Sequence, residues 1–518
     1  MRLFTRANAM PSAPSGRRTG GRSSDRRGVI LFGVLLLIGI GAYISSTLLL
    51  GVQATRGSAD ASVRADAARA LAWSGVEGAM AELASQRDRL LAGGEPELTE
   101  RWTIEGGPGG RIGVVRFVPI VGDRVAISES ARLDLNSASP EMLASLPGVD
   151  EALAQRIVAR RDSLGPYQSV AELAGVPGVD AELLYGSGGQ DLRGIGGEED
   201  PADLFFADDA EGLLSLLTVY SFEPNVQTGI ESSEHLGTRR INLNLPWSSR
   251  LERALTRRFN AEGARAVGTL IRSQGAFTSD RMVVQELSTR IPGAWPIWKV
   301  VLDSITTSDD EFRPGRVDIV RADARVLASL PGIDEATAES IAAERENLSD
   351  DDRLSVVWLA ERQLLSTEAF GQAVDHLSFR SLQWRVRVEA GFLPLDASAE
   401  DDRDTETPLQ SRVVLEAVID VASQRPRVAY VRDVTMLDAV RMIGSGELAS
   451  ALRIEAADIF EEAAEQTMEA EAPERVRRAE AARASRPAAA RREQSAPEGD
   501  DLPVRDRRLG RWRLPEND

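Results

Sequence analysis

The two histidines are the first candidates for chemistry. His235 lies in Glu-His-Leu-Gly and His376 in Asp-His-Leu-Ser. Neither belongs to an H-E-x-x-H pair and neither accompanies a G-x-S-x-G nucleophile elbow, so both read as surface or packing residues. The chain has no cysteine, which removes disulfides, thiolate nucleophiles, zinc fingers and iron–sulfur sites. Lys299 is the one lysine, set between Trp298 and Val300. With no G-x-x-x-x-G-K-[ST] loop around it, nucleotide hydrolysis is not expected. Acidic clusters occur at Glu198 to Asp200, Asp208-Asp209, Asp350 to Asp352, and Glu400 to Asp402 with Asp404. None has the EF-hand spacing that calcium requires, so they read as solvated loops. These residues predict a protein that binds rather than one that catalyses, with no cofactor.

A repeat carries the binding reading. Residues 132–161 align without gaps on residues 316–345 with 16 identities in 30, and both contain L-A-S-L-P-G-h-D-E-A. Each predicts a short helix, a Pro-Gly hairpin (Pro147-Gly148, Pro331-Gly332) and a second helix, which is a helix-hairpin-helix. In nucleic-acid-binding versions the tip reads G-h-G and its backbone N–H groups cradle a phosphate. Here Asp150 and Asp334 replace the second glycine, where a carboxylate repels phosphate and suits a helix N-cap. Residues 132–180 hold four arginines against seven acids, a poor footprint for DNA. Only Arg156, Arg160 and Arg161 offer one. Gly165 to Asp180 continues as a second hairpin. A third, diverged copy starts at Arg240, without the Pro-Gly turn and with Phe277-Thr278 in the place of Tyr167-Gln168.

These hairpins must be held by something, and the N-terminus supplies an anchor. Residues 1–28 carry seven arginines against one acid, and Val29 to Val52 then has no charge. At 1.5 Å per residue that run makes about 36 Å of helix, enough for a bilayer core. The flanking arginines place the start in the cytoplasm and everything beyond Arg56 outside. A cleaved secretory signal is the competing reading, but this core is longer than such signals use and no A-x-A follows. Arg26-Arg27-Gly28 abutting the run resembles a type IV prepilin cleavage site, which implies cutting after Gly28 and a mature chain that begins at Val29. Helical spacing of Val76, Met80, Leu83 and Leu90 continues to Ala92, where Gly93-Gly94 ends it. A simple anchor followed by a separate surface helix fits this stretch equally well.

Strands flank the repeats. Ile112 to Val118 and Val125 to Ile127 are apolar and β-branched; Leu382 to Phe392 alternates strictly, predicting one buried and one wet face. Val413 to Val421 and Val428 to Val434 predict a hairpin. One antiparallel sheet on the helix from 53 to 92, with the repeats inserted, explains them better than two small β units. The expected fold class is therefore α+β: a long N-terminal transmembrane and pilin-like helix on an antiparallel sheet, a large helical insert, and a disordered C-terminal tail. The expected boundaries are a leader 1–28, a span 29–52, a pilin helix 53–92, first strands 98–131, a helix-hairpin-helix domain 132–183, a linker 184–239, further such domains at 240–291 and 316–375, closing strands 380–436 and a tail 463–518. A chain of 518 residues is too long for one core and fits about three units; its formal charge is −19.

The combination is similar to the general secretion pathway protein K family, the minor pseudopilins of type II secretion systems. Its marks here are the prepilin-type Arg26-Arg27-Gly28, Gly33 where most relatives of that superfamily carry Glu, and the insert strings LDLNSASPEMLASLPGVDEALAQRIVARR and LTVYSFEPNVQTG…RRINLN. The resemblance implies a SAM-like insert and a tip or capping role in the pseudopilus. The partners it implies are other minor pseudopilins, the inner-membrane secretion platform and the prepilin peptidase. It also implies a single-pass inner-membrane protein with its bulk in the periplasm. Calcium is associated with that family's head, with no ligand mapped onto this chain. The alternative is a membrane-anchored helix-hairpin-helix DNA uptake receptor; with an acidic chain, nucleic acid is not the expected partner.

Overall fold

A computed structural model describes residues 25–120, 124–186, 212–395 and 408–437. Most of the arginine-rich leader, the acidic clusters at 198–200, 208–209 and 400–404, and the tail 463–518 lie outside the described residues.

One helix dominates the N-terminal part: α1, Asp25–Ser85, 61 residues or about 92 Å long. From Val34 to Val52 its large apolar side chains are all exposed, and it is long and apolar enough to cross a membrane, with a mean hydropathy of 2.1 in its best window. Beyond Arg56 its character changes. Ala68, Ala72, Val76, Ala79 and Leu83 are fully buried, spaced at the three and four residues that put them on one face. The helix does not run unbroken to Ala92. It stops at Ser85, and α2 (Arg87–Leu91) follows. At the break the amide of Gln86 accepts from the Glu97 N–H (2.8 Å) and donates to the Glu97 carbonyl (2.5 Å), clipping the chain as it turns back.

The buried stripe of α1 lies on a six-stranded antiparallel sheet. Its strands are β1 (Arg101–Ile104), β2 (Gly113–Phe117), β3 (Ala126–Ser128), β12 (Gln383–Phe392), β13 (Gln410–Asp420) and β14 (Arg427–Asp433). The order is β1-β2-β12-β13-β14, with β3 also on β12. Strands from before and after the insert are thus direct neighbours: Val115 pairs with Ala390 and Ser128 with Trp384. The second face of β12 is not wet. Gln383, Arg387 and Glu389 are buried, and this face carries an ion-pair ladder in which Glu416 takes Arg385, Arg387 and Arg432. Strict alternation reports which face bears charge; tertiary covering decides whether water reaches it.

Between β3 and β12 the chain builds three helical units, each closed by a two-residue parallel ladder. In the first, β4 (Leu133–Asp134) pairs with β5 (Leu217–Thr218); in the second, β7 (Ile241–Asn242) with β8 (Ile305–Thr306); in the third, β10 (Val317–Asp318) with β11 (Leu377–Ser378). Two more strands, β6 (Phe222–Pro224) and β9 (Phe312–Pro314), pair antiparallel between them. The expected limits at 183, 291 and 375 therefore fall short, because each unit ends on a strand that follows its last helix. The expected linker 184–239 is likewise not all linker: a short helix, Leu213–Leu216, and β5 complete the first unit. Two-residue strands carry no alternation to read.

Candidate functional site: hairpin tips, arginines and a buried junction

Gly28 and Val29 lie in the first turns of α1, directly before its exposed apolar stretch. That places the expected processing position at the mouth of the run that can enter a membrane.

In the first unit α3 (Pro140–Ala144) and α4 (Glu151–Leu164) flank the Pro147-Gly148 turn. Gly148 adopts φ +74, where L side chains are strained, and a Cβ there would meet Leu183 at 2.6 Å. Asp150 caps α4, its Oδ1 accepting from the Leu153 N–H at 2.7 Å. The third unit repeats the device with Pro331, with Gly332 at φ +79, and with Asp334, which accepts from the Thr337 N–H at 2.8 Å. Its hydrogen bonds to Thr337 lower the Asp334 pKa. At both tips the protein's own carboxylate takes one N–H of the helix start and puts a negative charge where a phosphate would sit.

The three arginines that could have touched nucleic acid are each engaged by the protein itself, Arg160 and Arg161 half-buried and Arg156 exposed. Arg156 donates to the Pro177 carbonyl at 2.8 Å; Arg161 donates to the carbonyls of Leu135 (3.0 Å) and Ala138 (2.9 Å). Arg160 bonds the Gly165 carbonyl, pairs with Glu172 and stacks on Tyr167. Arg156 and Arg160 fasten one hairpin to the next, and Arg161 ties α4 to the chain that leads into its own hairpin.

The second unit is built like the first in a way that its sequence hides. The side chain of Asn136 exchanges hydrogen bonds with the backbone of Tyr167, and that of Asn244 does the same with Phe277, at 2.7 and 2.8 Å. The helix Ser249–Gln274 is interrupted at Asn260, with φ +64, whose Oδ1 accepts from the N–H groups of Glu262 and Gly263. An asparagine thus does the work of the missing Pro-Gly turn. The unit's second turn is Pro292-Gly293, with Gly293 at φ +73, and the I-P-G string there was the overlooked signal.

Lys299 is a bridge and not a nucleophile: its Nζ holds Asp352 at 3.0 Å and Glu361 at 2.8 Å. Burial opposes its charge, but these carboxylates outweigh burial and raise its pKa. The acidic run at 350–352 is thereby engaged in part within the fold. His376 has its pKa lowered by burial. Among the described residues no group of three or more His, Asp or Glu side chains could hold a metal ion.

The densest charge constellation escaped sequence reading altogether. Glu223 on β6 is buried beneath Arg313, Arg380, Arg240 and Arg316, which together overcome its desolvation and hold its carboxyl well below the usual range. Arg313 and Arg316 also bond Asp280, at 3.0 and 2.6 Å. Arg380, wholly buried, donates to the carbonyls of Leu91, Pro224 and Val226. This junction ties the second and third units to α2, just past the end of the long helix. Arginines spread from 240 to 380 have no sequence spacing that would announce it.

Comparison with known proteins adds two findings. Residues 128–187 match the family described as helix-hairpin-helix motif. A stretch of 53 residues is 47% identical to an endonuclease/exonuclease/phosphatase family domain-containing protein 1 of Danio rerio, covering 10% of this chain and 10% of that protein. The chain thus spans about a tenth of the length of the relative it matches.

Proposed function

We propose that this chain is a non-enzymatic, membrane-anchored minor pseudopilin, similar to the general secretion pathway protein K family, acting at the tip of a type II secretion pseudopilus. On this reading the three helical units are repeated helix-hairpin-helix domains, and the inner membrane holds the span with the bulk in the periplasm. The observation that carries the reading is the arrangement of α1: half bare and apolar, half packed on a sheet whose central strand is contacted by strands from both sides of the insert. A helix of this kind can slide among similar helices through its bare half. Its packed half bears a head, and the insert hangs at the end of the helix remote from the membrane, where Arg380 bonds the Leu91 carbonyl. Bulk at that end permits subunits to join from below and blocks them above.

Processing after Gly28 by a prepilin peptidase is the testable step. N-terminal sequencing of the protein extracted from membranes is expected to begin at Val29; a chain still starting at Met1 would count heavily against the reading. Co-extraction with other minor pseudopilins is the partner test.

The helix-hairpin-helix match favours one second reading, a DNA receptor. Against it stand the Asp-capped tips and the engagement of Arg156, Arg160 and Arg161 by carbonyl and carboxylate groups of the protein itself. Duplex retardation that collapses with added salt would turn the choice toward the receptor.

A further inference from the structure

The chain is acidic as a whole, but its second unit carries a basic face. Residues 244–279 hold six arginines against two carboxylates, Glu252 and Glu262. Arg258 turns inward to Asp303. The other five, Arg250, Arg253, Arg257, Arg265 and Arg272, are exposed, and none has an ion-pair partner among the described residues. At 3.6 residues per turn, Arg250, Arg253 and Arg257 fall in one stripe of the helix Ser249–Gln274, away from the buried Leu251 and Leu255 and off the side that bears Glu252. Trp247, just before that helix, joins the stripe to the helix's second half. Its ring rests on Gly268, where a Cβ would come within 2.4 Å, and the Arg272 guanidinium stacks on it at 5.0 Å from the ring centroid. Arg265 shares the face of Gly268 and Arg272, which follow it at helical spacing. Trp247 nevertheless keeps 38% of its surface exposed, and Leu245 keeps 44%. The ring is seated without being covered.

We infer that this face docks an acidic amphipathic helix of a partner protein, which sets carboxylates against Arg250, Arg253 and Arg257 and an aliphatic or aromatic side chain on Trp247. Carboxylates repeating at three and four residues along a helix rise by about 4.5 and 6 Å, the same steps as the three arginines. Free guanidinium groups around a seated tryptophan have the composition of a protein–protein hot spot. A duplex backbone offers nothing apolar to Leu245 and Trp247, and Glu252 and Glu262 on the same helix oppose its phosphates. A bilayer around Val34 to Val52 stands off from this face, because the second unit is tied to α2 and the remaining 33 residues of α1, about 50 Å, lie between. The pseudopilin reading does not use this surface, so the inference stands or falls separately from it.

The test uses the full chain in neutral-lipid nanodiscs, titrated with a synthetic helix-forming peptide of Ala, Leu and Glu whose glutamates repeat at three and four residues. The same peptide with Gln for Glu, a DNA duplex and phosphatidylglycerol vesicles are the competing ligands. The Glu peptide is expected to bind and to shift tryptophan emission to the blue, a shift that Trp247→Phe removes, with an affinity that falls as salt is added. Arg253→Glu combined with Arg257→Glu is expected to weaken binding more than about tenfold, and Trp247→Ser about tenfold. Gly268→Ala, which changes no charge but displaces the ring, is expected to weaken binding while leaving its salt dependence in place. If the charge-reversed chain fails to fold, Arg253→Gln with Arg257→Gln, at the same two exposed positions, takes its place. Equal binding of the Glu and Gln peptides, arginine variants that bind as the native chain does, or tighter retention of duplex or vesicle through the same arginines would overturn the inference.

Discussion

At the scale of single residues, the charges on the second face of the sheet make the sharpest prediction. Glu416 is 1% exposed, and its two oxygens take Arg385 at 2.6 Å, Arg432 at 3.0 Å and Arg387 at 3.1 Å. Burial alone would raise its pKa, but Arg385, Arg432 and Arg387 outweigh burial and bring it to about 2. A folded pKa below the unfolded value means stability that is present above about pH 4.5 and is lost as pH falls toward 2. The shift corresponds to roughly 3 kcal/mol. Glu416→Gln is expected to lower stability at neutral pH by about 3–5 kcal/mol, because it strands buried guanidinium groups. It should also flatten the acid limb of a urea-midpoint titration below pH 4.5. An unchanged acid limb would mean that the ladder is solvated after all. The alternation of Leu382 to Phe392 announced these positions but not their burial. What covers them is the insert: Glu129, just past β3, pairs with Arg385 at 2.6 Å and accepts a hydrogen bond from Thr218, contacts 256 and 89 residues apart in sequence.

At the scale of elements, α1 was legible because its signals are local: an uncharged run, then apolar residues at helical spacing. That a sheet packs on it was expected as well, but how closely was not legible, since the close approach depends on two glycines whose partners lie elsewhere. A Cβ on Gly75 would come within 2.5 Å of both Val115 and Val388, and one on Gly78 within 2.9 Å of Trp102. Glycine inside a helix ordinarily costs about 0.5–1 kcal/mol relative to alanine, so Gly75→Ala would normally stabilise. Here the close approach reverses the sign. Gly75→Ala is expected to lose about 1–2 kcal/mol and Gly75→Val more, through overpacking against β2 and β12. Gly57, also within α1 but with nothing within 4 Å of a Cβ, is the control, and Gly57→Ala should raise the denaturant midpoint by the equivalent of about 0.5–1 kcal/mol. A stabilised Gly75→Ala would show that the helix can lift off the sheet without cost. The helical hairpins divide in the same way. Pro147-Gly148 and Pro331-Gly332 are plain in the sequence, whereas the break at Asn260 rests on one side chain capping the turn that follows, and no dipeptide motif encodes it.

At the scale of the whole molecule, the topology reduces to a hairpin with a large loop. β3 and β12 are antiparallel neighbours with Ser128 opposite Trp384, so a tight turn could join them in place of all three helical units. The insert has a core of its own, running from Leu133 to Leu377, while the sheet and α1 share another built from Ala68, Val76, Val388 and Ile419. The two meet through polar fasteners: Arg380 to the Leu91 carbonyl at 3.1 Å, Arg321 to the Gly93 carbonyl at 2.8 Å, and Glu129 to Arg385. Such contacts orient two bodies while contributing less than the apolar burial within each. Replacing residues 129–383 by a short glycine-containing turn is therefore expected to leave a cooperatively unfolding helix-on-sheet protein of lower midpoint. The loss should exceed that from removing the Arg385 partner alone, because Phe222 and Phe312 of the insert also pack against the sheet core. The complementary fragment, residues 129–380, is expected to melt cooperatively by itself and to keep near-ultraviolet dichroism from Trp298 and Trp358, both fully buried within it. If neither piece unfolds cooperatively, the cores are interdependent and the insert cannot be a module added to a pre-existing head. If both do, a helical block can be gained by a hairpin loop without rebuilding the sheet, and the bulk that would cap a filament is separable from the rod that would join it.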